Sequence, residues 1–361
     1  MPKYGRSFLT DCDLKKPPAD DEIEVSVFGR GYGECLLISC SNREFVVVDS
    51  FLGETSNNPI ALDYLDAIGV GASAIKRIVL THWHQDHITG ISTILKNASQ
   101  DSQLIMSPII KQEKLNSFLQ IGIKENNPST KEFNEVLKFV HSNKDRILIP
   151  VPNRLISSYN ENGIEIFALT PSDADLMEYI NAIIIPDENR KTSYAFPKDN
   201  QLSIVMLVKF GEDGVLLGSD LENKKNKNSS WLGLINNYEH KKNKPSLIKI
   251  PHHGSSNAHH ERLWSEILMD KPLSVLTVFN RGDVELPKNE DVERIKNLSN
   301  ELYIVGDSLK RNRELEKEAK KSMSRVNIQI VPNRVGLVRF RRNYTDNRWK
   351  VESFGAVKKY N

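Results

Sequence analysis

Apolar residues occur along the chain in short runs that have the length of a β-strand, and residues typical of turns separate these runs. The first two predicted strands lie within Ile23–Cys40 and are joined by the glycine-rich turn G-R-G-Y-G. The other predicted strands are Glu44–Val48, Arg77–Leu80, Leu104–Pro108, Ile147–Val151, Leu155–Tyr159, Ile164–Leu169, Leu202–Phe210, Val215–Leu217, Leu247–Ile250 and Ser274–Phe279.

Between several of these runs, apolar residues recur at helical spacing. The predicted helices are Ile60–Ile68, Ile91–Lys96, Asp173–Ile184 and Glu261–Met269, and residues 111–145 are predicted to form two helices that cap one face. Because helices alternate with strands and hairpins also occur, we expect mixed sheets covered by helices. The pattern therefore predicts an α/β fold, and it shows no internal repeat.

The length and the composition favour a soluble globular protein. The chain has 361 residues, of which 39% are hydrophobic, and this is enough to bury a substantial core. It shows no signal sequence and no apolar run of the roughly 18 residues that span a membrane, so we expect a cytoplasmic protein without membrane association. The three cysteines, Cys12, Cys35 and Cys40, form no C-x-x-C pair, which fits a reducing compartment.

Basic residues are concentrated near the end of the chain. The net charge is only +2, but residues 306–361 contain 15 Lys or Arg against 6 Asp or Glu. We expect residues 1–305 to form the main domain and residues 306–361 to form a basic extension, a helix and a β-hairpin, that packs on it. Its segments V-R-F-R-R-N-Y and R-W-K place arginines among aromatic residues. This pattern could contact a nucleic-acid backbone, or it could be ordinary packing with a solvated face.

Seven of the nine histidines lie in two short clusters, and the first of these is T-H-W-H-Q-D-H, directly after an apolar run. His82 and His84 are two positions apart, so their imidazoles project to the same side of an extended chain. Asp86 and His87 begin the turn into the next helix and can face the same hollow. Imidazole nitrogens and carboxylate oxygens suit zinc and tolerate manganese, so the motif predicts a metal site.

The second cluster, P-H-H-G-S-S-N-A-H-H, begins after another predicted strand and contains His252 and His253. Asp220 also follows an apolar run, in V-L-L-G-S-D. A carboxylate buried at a strand end is costly unless it is paired or bound to a metal, so Asp220 is a candidate to bridge two cations. His141 has no histidine near it in the sequence, and we interpret it as a residue on the surface of a helix.

These motifs together resemble those of the metallo-β-lactamase superfamily of hydrolases: a strand that ends in Asp49, then T-H-W-H-Q-D-H, then Asp220, then a strand that ends in His253. The resemblance covers residues 22–305 and implies a four-layer αββα sandwich. Within the superfamily, D-N-Q-L-S-I-V-M-L-V, V-L-L-G-S-D-L-E and L-I-K-I-P-H-H-G-S-S-N look like the metallohydrolase domain of the DNA-uptake competence protein ComEC and its stand-alone relatives.

The resemblance implies two divalent metal ions, zinc or manganese, in a dinuclear site. His82 and His84 would hold one ion, and Asp220 would bridge the two. The ligands of the second ion would be Asp86, His87 and His253. Asp49 would support the motif loop from behind the ligands.

Two features depart from the superfamily pattern. No histidine lies between His141 and His240, where other members carry a third-strand histidine; the ComEC-like branch has N-x-x-S there, which Asn200 and Ser203 fit. The first metal ion is therefore expected to be held more weakly than the second. In addition, F-N-R-G-D-V-E-L-P stands where relatives often carry N-x-Y-G-H-P, so this turn lacks the histidine that could donate a proton.

The residues that could take part in the reaction are Asp86, His252, Asn200 and Ser203. His252 could contact substrate or donate a proton, with plain packing as the alternative. Asn200 or Ser203 could position a phosphate oxygen, although hydrogen bonding at a strand end explains them equally well.

The implied activity is that of a metal-dependent hydrolase in which a metal-bound hydroxide attacks the substrate. A phosphodiesterase or nuclease is the preferred interpretation, with DNA or RNA as substrate. Two alternatives stay open. The first is a hydrolase of a small ester, lactone or nucleotide, with residues 111–145 as the roof of a small pocket. The second is a component of a multi-protein bacterial defence system whose activity depends on protein partners. The oligomeric state is not predicted.

Overall fold

The computed structural model describes residues 13–107, 128–184, 199–307 and 335–361, apart from positions 42, 54, 55, 160, 345 and 347, together with residue 9. Within these residues the strands are β1 (Glu22–Gly29), β2 (Glu34–Ser41), β3 (Glu44–Val48), β4 (Ile75–Leu80), β5 (Gln103–Met106), β6 (Ile147–Leu148), β7 (Arg154–Tyr159), β8 (Ile164–Ala168), β9 (Met206–Phe210), β10 (Asp213–Leu217), β11 (Leu247–Lys249), β12 (Leu273–Thr277), β13 (Phe279–Arg281), β14 (Val284–Leu286), β15 (Glu301–Val305), β16 (Gly336–Asn343), β17 (Lys350–Gly355) and β18 (Val357–Tyr360).

The α-helices of the described residues are α1 (Ile60–Ala67), α2 (Gln85–Ile88), α3 (Ile91–Asn97), α4 (Pro128–Ser142), α5 (Asp173–Ile184), α6 (Ser230–Asn236) and α7 (Asn289–Leu298). Short 3₁₀ or π-helical turns lie between several of the strands. In the part of the chain that the structure describes, no helix combines the length and the apolar character that crossing a membrane requires.

The strands form two large mixed sheets, as the sequence predicts. The order of the first sheet is β17-β16-β1-β2-β3-β4-β5-β6, and that of the second is β18-β15-β12-β11-β10-β9-β8-β7. Strands β3 to β6 run parallel to one another, as do β10, β11, β12 and β15. The remaining pairs are antiparallel, and β13 and β14 form a separate hairpin.

Alternation along the strands divides the buried side chains into layers. In β4, Ile78 and Leu80 pack under the helices of the first sheet, whereas Val79 lies in the core between the sheets. On the outer face of the second sheet, Trp231 of α6 and Ile295 of α7 belong to a third core. The order of layers is therefore helices, sheet, sheet, helices, the four-layer αββα arrangement that the resemblance implies.

The chain after residue 335 contributes strands to both sheets. The hairpin of β16 and β17 extends the first sheet beyond β1, and β18 pairs with β15 at the edge of the second. The predicted helix of the extension falls in 308–334, outside the described residues. The division into a domain of residues 1–305 and an extension of residues 306–361 stays a prediction.

Three arginines of the segment V-R-F-R-R-N-Y are buried, with exposed fractions of 0%, 6% and 7% for Arg339, Arg341 and Arg342. Each guanidinium has an acidic partner: Arg339 pairs with Glu352, Arg341 with Glu24, and Arg342 with Asp213. Arg342 also stacks over the ring of Phe210, 5.0 Å from its centroid. These side chains are engaged in packing, so they are not available to guide a nucleic-acid backbone.

Several predicted elements have different limits in the structure. Strand β9 begins at Met206 rather than at Leu202, because the preceding residues turn towards the first sheet, where the amide of Ile204 donates to the carbonyl of Thr81 at 3.2 Å. The predicted helix Glu261–Met269 is largely a π-helical turn, Leu263–Ile267. Of the two helices predicted within residues 111–145, α4 is described, and residues 108–127 lie outside the described residues.

Helix α4 is anchored by an aromatic contact that can be tested. Phe133 is 5% exposed, and its ring lies 4.2 Å from the ring of Trp83, centroid to centroid. We expect Phe133→Ala to lower the free energy of unfolding by about 3 kcal/mol, because it removes the contact and leaves a cavity. Urea denaturation measures this change.

A matched control is Lys138→Ala, on the same helix, because Lys138 is 74% exposed and pairs with Glu135 at the surface. It should change the free energy of unfolding by less than about 0.5 kcal/mol. Equal stabilities of the two variants would contradict the anchoring role of Phe133.

Candidate metal centre

Residues from both sheets meet where parallel strands end. In the first sheet, Asp49 follows β3 and Thr81 follows β4. In the second, Asp220 follows β10 and His253 follows β11. Parallel strands bring their carboxyl ends to the same edge of a sheet, and side chains that are far apart in the sequence converge there.

The backbone at these strand ends is strained. Asp49, Ser219, His252 and His253 have φ values of 59°, 46°, 46° and 52°, in the left-handed region that residues with a Cβ rarely adopt. Such a conformation costs about 1–3 kcal/mol per residue and persists only where the surroundings impose it. Four of the nine non-glycine residues with positive φ in the described chain lie at this cluster of polar residues, which favours a functional site there.

The extended segment before α2 separates its side chains by alternation. The rings of His82 and His84 lie 4.6 Å apart, centroid to centroid, on the same side of the chain, as their spacing predicts. Trp83 points to the other side, where it contacts Phe133. The motif therefore presents imidazoles to the centre and is held from behind by an aromatic ring.

Three imidazoles are fixed through their Nδ1 atoms. Nδ1 of His87 donates to Oδ2 of Asp49 over 2.8 Å, Nδ1 of His253 lies 3.1 Å from the carbonyl of Thr277, and Nδ1 of His82 lies 3.0 Å from Oγ1 of Thr81. The Thr81 hydroxyl in turn donates to Asp49 over 2.7 Å. In the neutral form of each imidazole, these contacts place the proton on Nδ1 and leave the lone pair on Nε2.

The three Nε2 atoms converge on two carboxylates. Each is buried and has no hydrogen-bond partner among the described residues. Oδ2 of Asp220 lies 3.8 Å from Nε2 of His82, 3.5 Å from that of His87 and 3.6 Å from that of His253. Oδ2 of Asp86 lies 3.5 Å from Nε2 of both His87 and His253.

These separations fit a shared metal ion better than hydrogen bonds. A hydrogen bond between nitrogen and oxygen is 2.7–3.2 Å long in general, whereas ligand atoms about 2.0–2.1 Å from a tetrahedral zinc lie about 3.3 Å apart. In the described residues, three groups of possible ligand atoms lie within 4.8 Å of one another. Two of them contain the convergent imidazoles and carboxylates, one of His82, His87 and Asp220, the other of Asp86, His87 and His253, and the third joins His87 to Asp49 and Glu34. The residues could therefore hold divalent metal ions.

The charge balance points the same way. Burial lowers the pKa of His82 well below its ordinary value, and the neighbouring His87 lowers it further, so this imidazole is neutral. Burial would raise the pKa of Asp220, but the imidazoles of His253 and His87 outweigh it and hold the pKa well below its usual range. The same balance holds the pKa of Asp86 low. Burial would lower the pKa of His87 and of His253, but the neighbouring carboxylates, Asp86 and Asp220 for His87 and Asp220 for His253, outweigh it and raise both pKa values. The two ionised carboxylates therefore favour positive charge at the centre, and a divalent cation bound in place of the imidazole protons would supply it.

His84 is placed differently from the other three imidazoles. It is half-buried, and among the described residues neither of these two groups contains it. Burial lowers its pKa. The assignment of His82 and His84 to one ion stays a prediction, and the structure places the ring of His87 4.2 Å from that of His82, centroid to centroid.

Two of the predicted reaction residues, Asn200 and His252, contact each other beside His253. Asn200 donates from Nδ2 to Oε1 of Glu222 over 2.8 Å and lies 3.4 Å from Nε2 of His252. Nδ1 of His252 lies 3.1 Å from Oδ1 of Asn257 and 3.3 Å from Oε1 of Glu222. Ser203 is fully buried, and its Oγ has no hydrogen-bond partner. Glu222 and Asn257 were not singled out in the sequence.

Sequence reasoning also missed three buried residues behind the ligands. Glu34 and Lys249 are each 1% exposed and form an ion pair of 2.6 Å, and Thr277 donates its hydroxyl to Glu34. A signal was available for Lys249, since it is the one charged residue in the apolar run L-I-K-I. Nothing in the local pattern identifies Glu34, because its partner is 215 positions away in the sequence.

A further missed group, the Arg281 rim, consists of Tyr32, Phe279 and Arg281. Ring centroids lie 5.2 Å apart for His253 and Phe279 and 5.4 Å apart for Phe279 and Tyr32. The guanidinium of Arg281 lies 4.7 Å above the ring of Tyr32 and donates to its hydroxyl. Burial, together with the charge of Asp86, raises the pKa of Tyr32 to about 12, so this phenol remains protonated.

Comparison with known proteins supports the fold. The model of the Metallo-beta-lactamase superfamily matches residues 28–100, which contain Asp49 and the T-H-W-H-Q-D-H motif. No curated protein matches the chain.

Three solved structures illustrate the likeness. The metallo-beta-lactamase SMB-1, bound to 2-mercaptoethanesulfonate, is 16% identical, with 70% of this chain and 87% of that one covered and a TM-score of 0.37. The hydrolase AbOPH is 11% identical, with coverage of 57% and 72% and a TM-score of 0.35. The short form of human tRNase Z is 12% identical, with coverage of 63% and 76% and a TM-score of 0.31. None of these likenesses bears on the substrate.

The contact between Asp49 and His87 leads to a test on metal binding. Asp49→Asn removes the charge that holds Nδ1 of His87, so we expect the affinity for Zn²⁺ to fall roughly 10- to 100-fold. A titration in competition with a chromophoric chelator measures the affinity. Asp291→Asn is the control, because Asp291 is also a buried aspartate but caps α7 and pairs with Arg294. An unchanged affinity in Asp49→Asn would refute the orienting role.

Proposed function

We propose that this chain, whose residues 28–100 match the metallo-beta-lactamase superfamily, is a metal-dependent hydrolase that cleaves phosphodiester bonds. The observation that carries the proposal is the convergence of three unpaired Nε2 atoms on Oδ2 of Asp220 and Oδ2 of Asp86. A buried site with this donor set is made for divalent cations rather than for internal hydrogen bonds.

The residues of the chain would bind and orient the reacting groups. When bound, two divalent ions would lower the pKa of a water and stabilise charge on the attacking and leaving oxygens. Oδ2 of Asp220, which faces imidazoles of both ligand groups, would be shared between them. Asp49 and Thr277 would keep His87 and His253 in the tautomer that presents Nε2. Preorganised ligands of this kind need no rearrangement during the reaction.

The Arg281 rim supports an anionic substrate. Arg281 is exposed, and its described side-chain contacts are with the hydroxyl and the ring face of Tyr32. Its guanidinium retains donors for a non-bridging phosphate oxygen, since arginine has five N–H groups. The faces of Tyr32 and Phe279 offer a surface on which a nucleobase could stack.

Ser203 and Asn200 would have different roles. Oγ of Ser203 is buried and has no hydrogen-bond partner among the described residues, so it would keep its proton for a phosphoryl oxygen that reaches it. The amide nitrogen of Asn200 already donates to Glu222, so Asn200 would hold Glu222 and His252 in place. The N-x-x-S segment and L-I-K-I-P-H-H-G-S-S-N are also the motifs that look like the ComEC-like branch. We include membership of that branch in the proposal.

The two other interpretations have less support. For a hydrolase of a small ester, lactone or nucleotide, the roof of the pocket would come from residues 111–145, but the described part, α4, packs outside the first sheet against Trp83. The other interpretation, a component of a bacterial defence system, would require protein partners. The proposal that the substrate is DNA or RNA is supported by the Arg281 rim and by the ComEC-like motifs. The C-terminal arginines do not support it.

Removal of two ligands tests the hydrolase proposal. In Asp86→Ala/His87→Ala we expect loss of one or more bound metal ions and at least a 100-fold lower rate with bis-p-nitrophenyl phosphate, because both ligand groups lose members. Elemental analysis and the release of p-nitrophenol are the measurements. His141→Ala, on the exposed surface of α4, is the matched control and should retain both properties. Unchanged metal content and rate in the double variant would refute the site.

A substitution in the Arg281 rim separates anionic from neutral substrates. We expect Arg281→Ala to raise KM for a phosphodiester about 10-fold, because one charged hydrogen bond to the substrate is lost. KM for p-nitrophenyl acetate, a neutral ester, should be unchanged. Steady-state kinetics on both esters, extended to single-stranded and double-stranded DNA and RNA, provide the comparison. Arg262→Ala, a surface arginine paired with Glu266, is the control. Cleavage of a lactone or carboxylic ester without any phosphodiester cleavage would overturn the substrate assignment.

A further inference from the structure

An ion pair lies behind the metal centre, buried between the two sheets. Lys249 is the last residue of β11 in the second sheet, and Glu34 is the first residue of β2 in the first sheet. Nζ of Lys249 lies 2.6 Å from Oε1 of Glu34, and each side chain is 1% exposed. Replacing a buried ion pair with apolar residues often leaves stability unchanged or higher, so stability alone does not explain its presence.

On one side, Lys249 distinguishes the two oxygens of Asp220. Its Nζ lies 3.9 Å from Oδ1 of Asp220 and donates to the carbonyl of Ser219 over 3.3 Å. Oδ1 is buried and has no hydrogen-bond partner in the described part of the chain, whereas Oδ2 faces the imidazoles. The ammonium attracts Oδ1 and so fixes the rotation of the carboxylate, which leaves Oδ2 as the atom directed at the metal centre.

On the other side, Glu34 acts on His253 through Thr277. The Thr277 hydroxyl donates to Oε2 of Glu34, so only its lone pairs remain for other contacts. Oγ1 and the carbonyl oxygen of Thr277 lie 3.0 Å and 3.1 Å from Nδ1 of His253. Both atoms therefore accept from an Nδ1 proton, and the imidazole is held in the tautomer with Nε2 free.

Glu34 itself is not placed to be a metal ligand, although one of its oxygens lies within 4.8 Å of ligand atoms of Asp49 and His87. Its Oε1 is occupied by the Lys249 ammonium and its Oε2 by the Thr277 hydroxyl. Glu34 would therefore act on the centre through its neighbours, Lys249 and Thr277.

We propose that the Glu34–Lys249 ion pair is a positioning device for two metal ligands, Asp220 and His253, and that it links the geometry of the metal centre to the packing of one sheet on the other. The inference rests on the proposed function, because it takes Asp220 and His253 to be ligands. Neither Glu34 nor Lys249 contacts the substrate in this role.

The double variant Glu34→Gln/Lys249→Met tests the proposal without changing the net charge beside the site. Replacing Lys249 alone would remove a positive charge and could strengthen cation binding, which would hide a positioning defect. In the double variant, we expect the affinity for Zn²⁺ to fall at least 10-fold. The visible absorption bands of the Co²⁺-loaded protein should also shift, because they report the geometry around the ion.

The control is a second buried ion pair of the same kind. Oε2 of Glu24 lies 2.7 Å from Nη2 of Arg341, with exposed fractions of 0% and 6%, and the pair has no contact with the metal ligands in the described structure. Glu24→Gln/Arg341→Met should leave Zn²⁺ affinity and the Co²⁺ spectrum unchanged. Equal losses in the two double variants would show a general effect of stability and would overturn the proposal.

Smaller substitutions decide the matter if the double variant does not fold. Thr277→Val keeps the shape of the side chain and removes the hydroxyl between Glu34 and His253, so the Zn²⁺ affinity should fall. Thr277→Ser keeps the hydroxyl and should have the Zn²⁺ affinity of the unsubstituted protein. Equal affinities in these two variants would overturn the proposal. Absence of divalent-metal binding in the unsubstituted protein would refute the proposed function and this inference together. If the unsubstituted protein, the double variant and Thr277→Val all bind Zn²⁺ with the same affinity, this inference alone is refuted.

Discussion

The carboxylate of Asp220, buried between two sheets, is the constraint on which the centre depends. Removing an ionised carboxylate from water is costly, and the cost is met here by imidazoles on one side and an ammonium on the other. His82 and His87 come from the first sheet, His253 and Lys249 from the second. The two sheets must therefore pack in one relative position for the charge to be tolerated, so the packing of the fold and the geometry of the site are not independent.

Strained loops make this convergence feasible. The left-handed residues at Asp49, Ser219, His252 and His253 turn the chain sharply at the strand ends, so that polar side chains point into the centre while the preceding residues stay in the core. The stability of the surrounding sheets sustains the strain. Helix α4 adds support from outside, since Phe133 contacts Trp83, the residue between His82 and His84. The fold thus holds these imidazoles and carboxylates in one arrangement.

The basic character of the C-terminal segment has mainly a structural meaning in the described residues. Arg339, Arg341 and Arg342 lie in β16, the strand that joins β17 to β1, and each is buried with an acidic partner. Their charge is compensated within the protein. The cation that remains exposed close to the ligands is Arg281, on the hairpin β13–β14, which the charge count of the tail did not indicate.

Much of the fold could be predicted from the sequence by itself, because strand length, alternation and strand-end motifs are local properties. The strands from β1 to β4 and the sides to which His82 and His84 project follow from spacing alone. The tertiary structure decided which charged and polar groups contact one another. Glu34 meets Lys249, and Arg281 meets Tyr32, only because the two sheets pack together and their loops meet at one edge. No local pattern encodes such a contact, since its energy depends on burial and on partners that lie more than 200 residues apart in the chain.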